Sequence, residues 1–167
     1  MIMANARFFG HRVMMALILS VLLATPAFGA TKMPAFNLKD VTTKKQISSK
    51  NLQGNSLLIM FFATWCPPCI QEIPNLIDIQ NTYGKKKFSI VGLSVDQEGE
   101  GVVKKLIKKK NINYPVAMAN EKVLRGFGGV YGVPTAFLVN RKGNIVKKYT
   151  GFIPHSVLVK DIKQVIR

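Results

Sequence analysis

The sequence predicts an α/β fold, a mixed sheet with helices on both faces, and three observations indicate it. Residues 57–63 contain no polar side chain and precede a turn, which is typical of a central strand buried on both faces. Helical periodicity follows over residues 69–83, and residues 88–95 form a second apolar run. The turn at residues 140–144 lies between two strand-like stretches, so an antiparallel hairpin joins the strand–helix alternation.

The other elements are shorter and are predicted from local patterns of apolar residues. In chain order they are two strands joined around a turn (34–38 and 45–47), an amphipathic helix (102–110), an extended segment (114–116), a short helix (121–127), the two hairpin strands (135–139 and 145–149) and a closing helix (154–166). The first two strands carry no visible chemistry.

Residues 1–30 have the pattern of an export signal. A positively charged start is followed by twelve apolar residues, 13–24, and by small residues spaced for cleavage after Gly29. The apolar core is short for a membrane span, although residues 13–30 can form a marginal uncleaved anchor. We therefore expect a signal peptide or an N-terminal membrane anchor ahead of one domain, residues 31–167.

The chain has a formal net charge of +16, and residues 31–167 contain 22 Lys and Arg against 8 Asp and Glu, which is +14. Such a balance suits nucleic acid, an anionic membrane surface or acidic partners. The basic clusters are not interleaved with aromatic residues, and no zinc-ligand set or nucleic-acid motif accompanies them. A solvated lysine-rich surface is the simplest interpretation, and we expect no nucleic-acid partner.

The only two cysteines, Cys66 and Cys69, lie two residues apart where the central strand turns into a helix. This loop is too short to stabilise a fold much by chain entropy, and two thiolates need further ligands to hold a metal. A dithiol at this position therefore predicts thiol–disulfide exchange through a redox-active Cys66–Cys69 disulfide. An inert disulfide and a metal site are the alternatives, and we expect neither a metal nor a cofactor.

The spacing assigns a role to each cysteine. Cys66 stands at the predicted N-cap, where the helix dipole and free amides stabilise a thiolate, so it is the exposed, attacking residue. Cys69 lies one turn further on and is the more buried, resolving residue. Pro68 has no N–H, which leaves only the Cys69 amide in ordinary cap geometry. A less stabilised thiolate predicts a reducing rather than a strongly oxidising couple.

Four stretches resemble the thioredoxin superfamily, and within it the exported TlpA/ResA/CcmG-like thiol–disulfide oxidoreductases. They are the redox motif (residues 61–69), a Glu-Ile-Pro sequence after it (72–74), a Tyr-Gly-Val-Pro-Thr loop (131–135) and an insert (about 96–122). The resemblance covers residues 33–167. It implies a thioredoxin-like three-layer fold with extra N-terminal strands and a central helix–strand insert.

The resemblance also implies a proton relay. Cytosolic thioredoxins carry a buried aspartate six residues before the first cysteine, where this chain has Met60. The TlpA/ResA-like group uses a glutamate three residues past the second cysteine, and Glu72 matches it. Residues i and i+3 share a helix face, and a carboxylate partly buried beside Cys69 has a raised pKa.

A protein-binding groove and redox partners complete what the resemblance implies. The groove residues are Trp65, Pro67, Pro68, Val133 and Pro134, with a cis-proline facing the dithiol. The partners are oxidised proteins, such as apocytochrome c or copper-site assembly proteins, and a membrane thiol carrier as electron donor. We expect a monomer in the periplasm or at the outer face of the cytoplasmic membrane. A copper or haem-pathway chaperone that uses the two thiols as ligands is the alternative, and an oxidase or isomerase is another.

Overall fold

A five-stranded mixed sheet forms the centre of the computed structural model, which describes residues 31–166. The elements in chain order are β1 (Asn37–Lys39), β2 (Gln46–Ser48), β3 (Ser56–Phe62), α1 (Pro67–Tyr83), β4 (Phe88–Ser94), α2 (Glu100–Lys110), β5 (Val116–Met118), α3 (Glu121–Gly126), β6 (Thr135–Val139), β7 (Ile145–Thr150) and α4 (His155–Val165). The sheet has the order β5-β4-β3-β6-β7, and β1 pairs with β2 separately. β3, β4 and β5 are parallel, and β6 is antiparallel to both of its neighbours, β3 and β7.

The central strand β3 is buried along its whole length. Its side chains alternate between two cores, as the two-residue period of a strand requires. Leu58 and Phe62 pack with residues of α1, α2 and α4. Ile59 and Phe61 pack with residues of β1, β2 and α3. The predicted mixed sheet with helices on both faces is therefore confirmed, and β1–β2 and α2–β5 are the extra strands and the insert.

The boundaries differ from the sequence predictions in a few places. The helix predicted over residues 69–83 begins at Pro67, because proline is well suited to the first helical position. The segment predicted as extended at 114–116 forms β5 two residues later, where Val116 pairs with Gly92. Pro115 has no N–H for a sheet ladder, and its carbonyl accepts a hydrogen bond from Gly92.

The predicted signal peptide or anchor, residues 1–30, lies outside the described residues. None of the helices described within residues 31–166 is long and apolar enough to span a bilayer.

Candidate active site

The two cysteines stand at the N-terminus of α1 and are joined as a disulfide, with their Cα atoms 5.3 Å apart. Cys66 is the N-cap residue and has an extended backbone. Its sulfur accepts a hydrogen bond from the Cys69 amide at 3.3 Å. Pro67 and Pro68 occupy the first two helical positions and have no N–H to donate. The cap geometry predicted from the sequence is therefore present.

Both cysteines are buried to the same degree, each 3% exposed. The expectation that Cys66 is the exposed residue of the pair is therefore wrong for the disulfide form. Its sulfur is bonded to that of Cys69 and lies over the first turn of α1, so the side chain joins the core cluster that contains Phe62 and Ala63. The exposed fraction therefore does not distinguish the two cysteines, which differ instead in the residues around them.

Glu72 lies one turn after Cys69, and its side chain is only 2% exposed. Its Oε1 atom accepts a hydrogen bond from the Ile153 amide, and its Oε2 atom has no hydrogen-bond partner among the described residues. Burial raises the pKa of Glu72 to about 7, against the smaller opposing effect of the Ile153 amide. The predicted burial and raised pKa of Glu72 are thus present.

A small cavity of about 10 Å³ lies between α1 and the sheet. Its lining residues are Met60, Phe62, Cys69, Glu72, Ile73, Leu76, Gly92 and Tyr114. The volume is near the lower limit for one water molecule. Burial, and secondarily the charge of Glu72, raises the pKa of the Tyr114 hydroxyl. The resolving cysteine and the buried carboxyl group therefore share one largely apolar space.

The loop before β6 contains a cis peptide bond between Val133 and Pro134, as the resemblance implies. Thr135 pairs with Phe61, which places this loop beside the end of β3. The Cys66 segment leaves the sheet at that same end. The loop and the dithiol therefore lie at one edge of the sheet.

A short segment after β7 connects the proline loop with the buried glutamate. The Gly151 amide donates a hydrogen bond to the Pro134 carbonyl at 2.9 Å. Two residues later, the Ile153 amide donates to Glu72. The segment 151–153 therefore contacts two of the predicted site residues through its backbone.

The predicted groove residues do not form a single cavity. Trp65, 63% exposed, and Pro67 line an open cavity of about 520 Å³, together with Thr64, Ile70, Gln71, Pro74 and Lys110. Pro68 and Val133 are half-buried and Pro134 is buried, and none of these three lines that cavity. The open surface beside the dithiol is thus formed by α1, the end of α2 and the segment before Cys66.

Asp96 is a buried side chain that the sequence analysis did not identify as functional. Its carboxylate accepts hydrogen bonds from the Thr64 amide at 3.0 Å, from the Thr64 hydroxyl and from the Ser94 hydroxyl at 2.8 Å. Thr64 stands two residues before Cys66, so Asp96 fixes the segment that leads into the dithiol. The Ser-Val-Asp sequence at the end of β4 was a signal for this contact. Parallel β3 and β4 end side by side, so polar residues that follow β4 lie next to the segment that follows β3.

His155, the only histidine of residues 31–167, lies on the surface, with Nε2 3.1 Å from an Asp78 carboxylate oxygen. Within residues 31–166, no three His, Cys, Asp or Glu side chains are grouped so that they could hold a metal ion.

Residues 29–166 match the Redoxin family. This chain belongs to the redoxin family. Its curated relatives include ResA thiol-disulfide oxidoreductases. One such protein from Bacillus cereus is 34% identical over 118 residues, which cover 71% of this chain and 67% of the relative. The protein from Bacillus subtilis (strain 168) is 30% identical over 125 residues, which cover 75% of this chain and 69% of the relative.

A solved structure gives the same result for this redoxin. The crystal structure of a thiol:disulfide interchange protein of the thioredoxin family from Chlorobium tepidum TLS matches with a TM-score of 0.77. It is 34% identical and covers 83% of this chain and 97% of that one. The predicted membership of the thioredoxin superfamily, in its ResA/CcmG-like group, and the three-layer fold are confirmed. The redoxin is a thiol–disulfide oxidoreductase, and its cysteine pair is joined as such an activity requires.

The raised pKa of Glu72 predicts a specific dependence of stability on pH. The folded state binds more protons than the unfolded state between the ordinary pKa of 4.5 and the folded value of about 7, so the free energy of unfolding falls as pH rises through this range. A shift of this size corresponds to at most about 3 kcal/mol. Glu72→Gln keeps an acceptor for Ile153 and does not ionise, so we expect it to remove this decline. Denaturant unfolding at pH 4.5, 6 and 8 measures the effect, and an equally steep decline in the variant would contradict it.

Proposed function

We propose that this oxidoreductase is an exported reductase of protein disulfides that cycles through the Cys66–Cys69 pair. The observation that carries the proposal is the N-cap of α1, where the Cys69 amide donates to the Cys66 sulfur and two prolines supply no further donor. A thiolate with one amide donor is stabilised less than one with two. The dithiol is then less stable relative to the disulfide, and it reduces its partners more readily.

The reaction begins with the dithiol form. The Cys66 thiolate attacks one sulfur of the substrate disulfide and expels the other substrate sulfur as a thiolate, which leaves a mixed disulfide. Cys69 loses its proton, and its thiolate attacks the Cys66 sulfur. The second substrate thiolate leaves as the Cys66–Cys69 disulfide forms. The substrate gains two electrons and the protein loses two, so an external dithiol must reduce the protein before the next cycle.

Glu72 is the proposed acceptor of the Cys69 proton. Both side chains line one cavity, and burial gives the carboxyl group a pKa of about 7. A group that titrates near neutral pH can accept a proton from the thiol and later release it. The unpartnered Oε2 atom leaves one oxygen of the carboxylate free for this transfer.

The partners and the location are proposed on the resemblance and on the leader pattern. Export by residues 1–30 places the dithiol in the periplasm or at the outer face of the cytoplasmic membrane, where a membrane thiol carrier supplies electrons. The proposed substrates are oxidised cysteines of apocytochrome c or of metal sites in cytochrome maturation. The protein is proposed to act as a monomer. The alternative is a copper or haem-pathway chaperone, and within residues 31–166 no three His, Cys, Asp or Glu side chains are grouped to hold a metal ion.

Trapping with Cys69→Ser tests the proposed function. This variant keeps the attacking cysteine and lacks the resolving one, so mixed disulfides with substrate proteins should accumulate on Cys66 in the native host. Mass spectrometry of the trapped proteins identifies them, and Cys66→Ser is the matched control that should trap far less. If Cys69→Ser traps nothing while the unmodified protein binds copper stoichiometrically, the chaperone is the better explanation.

The cap geometry predicts the direction of a change in reduction potential. Pro68→Ala restores the missing second amide, so the Cys66 thiolate gains a donor and the couple becomes more oxidising. One such hydrogen bond is worth about 1.4 kcal/mol, or about 30 mV for two electrons. Pro67→Ala is the matched control, because the first helical amide is not a usual cap donor. Equilibration with glutathione measures both potentials. A native potential near that of the strongest oxidants, about −120 mV, would contradict the reductase role.

The role of Glu72 predicts a change in the pH–rate profile. Its carboxylate form accepts the proton, so the rate of substrate release should rise as pH passes through about 7. In Glu72→Gln the rise should move toward the thiol's own pKa of about 8.5. Single-turnover stopped-flow measurements from pH 5 to 9 record this step. Superimposable profiles would remove Glu72 from the mechanism.

A further inference from the structure

The positive charge of this protein is poorly neutralised at its surface. Of the eight carboxylate side chains, four are buried: Asp40, Glu72, Asp96 and Asp161. Three of the other four have basic neighbours: Glu100 beside Lys44 and Lys104, Glu121 beside Arg125, and Asp78 beside His155. Among the described residues, Glu98 is the one carboxylate outside the core that has no basic partner. Lys147 also pairs with Asp161, but most Lys and Arg side chains of residues 31–166 face solvent without an acidic partner.

This excess of positive charge reaches the open cavity beside the dithiol. Lys110 is the only charged residue among the side chains that line the cavity with Trp65 and Pro67. It is half-buried and lies in no ion pair within residues 31–166. Lysines at the end of α2 stabilise the helix dipole, which accounts for the exposed Lys108 and Lys109. The dipole alone does not require Lys110 to line a cavity next to an exposed tryptophan.

The carboxylates nearest to the dithiol are turned away from this surface. Asp96 is buried and accepts hydrogen bonds from Thr64 and Ser94. Glu72 faces the internal cavity beneath α1. An anionic group that approaches Trp65 from solvent thus meets a cation, and the two nearby negative charges are already bonded or shielded.

We propose that the redox partner that docks beside the dithiol is an acidic protein. Its carboxylate side chains pair with Lys110 while apolar parts of its chain pack on Trp65. The proposal rests on the proposed function, because the docking partner is the protein whose disulfide is reduced. The dithiol beside this open surface reacts with a protein disulfide in the proposed function, so the occupant is a protein, and an anionic membrane is the alternative that the test separates.

Charge complementarity of this kind acts mainly on encounter. Opposite potentials raise association rates by about 10- to 1,000-fold, and the gain falls as salt screens it. An acidic partner therefore reaches this protein quickly, whereas a basic protein is repelled over the whole surface. Lys110 favours acidic partners at the place where the partner's disulfide must approach the dithiol.

Three peptide disulfides of equal length test the proposal, with Glu, Gln or Lys flanking the disulfide. The quantity measured is the second-order rate constant for single-turnover reduction of each peptide by the full-length dithiol protein, at 20 mM and at 500 mM salt. We expect the order Glu, Gln, Lys at low salt and a much smaller spread at high salt. Lys110→Glu should lower the ratio of the Glu to the Lys rate by about fivefold, the scale of a reversed surface charge pair.

Lys85→Glu is the matched control, because it makes the same change in net charge just beyond the C-terminal end of α1. That end lies roughly 25 Å from the dithiol end of the helix, at 1.5 Å per residue. The ratio should change less in this variant than in Lys110→Glu. Equal changes in both variants, or a Glu peptide reduced no faster than the Lys peptide, would overturn the acidic partner. Strong co-sedimentation of the protein with phosphatidylglycerol vesicles, together with equal reduction rates for the three peptides, would also overturn it. If the Gln peptide is reduced while the preference is absent, this inference fails and the proposed function stands. If no peptide is reduced, both fail.

Discussion

The burial of β3 on both faces determines where the chemistry can occur. Because residues 57–62 of this strand each pack into one of two cores, the chain leaves the sheet only at the strand end, between the two layers. There it turns at once into α1, whose N-terminus presents the dithiol. Asp96, at the end of the neighbouring β4, bonds to Thr64 and so holds the turn between strand and helix. The strand, the turn and the helix thus position Cys66.

The same burial raises the pKa of Glu72. A carboxyl group beneath α1 is surrounded by apolar side chains of β3 and α1, and desolvation disfavours its ionised form. Met60 contributes to this apolar lining where a cytosolic thioredoxin would place a carboxylate of its own. In the proposed mechanism the proton acceptor stands on the helix instead of the strand, and Glu72 shares a cavity with Cys69. A single buried carboxylate avoids the repulsion that two would create in so small a cavity.

Local features of this fold could be predicted from the sequence, and features that depend on distant contacts could not. The strands, the main helices and the N-cap of Cys66 depend on neighbouring residues, so pattern and the missing proline amides were sufficient. The equal burial of the cysteines depends on packing against the sheet. The role of Asp96 depends on contacts with a residue 32 positions away, and Lys110 reaches the site only because α2 ends there. Such contacts leave almost no local signal in one sequence.

The hydrogen bond from Ile153 to Glu72 has a consequence for sequence variation. The donor is a backbone amide, so every residue except proline supplies it at position 153. Drift at this position therefore leaves the partner of Oε1 intact. The other oxygen, Oε2, has no hydrogen-bond partner among the described residues, and Glu72 lines its cavity together with side chains such as those of Met60 and Tyr114. Selection can accordingly retune the acidity of this carboxyl group by exchanging those side chains, while the bond that anchors the group is protected from most mutations.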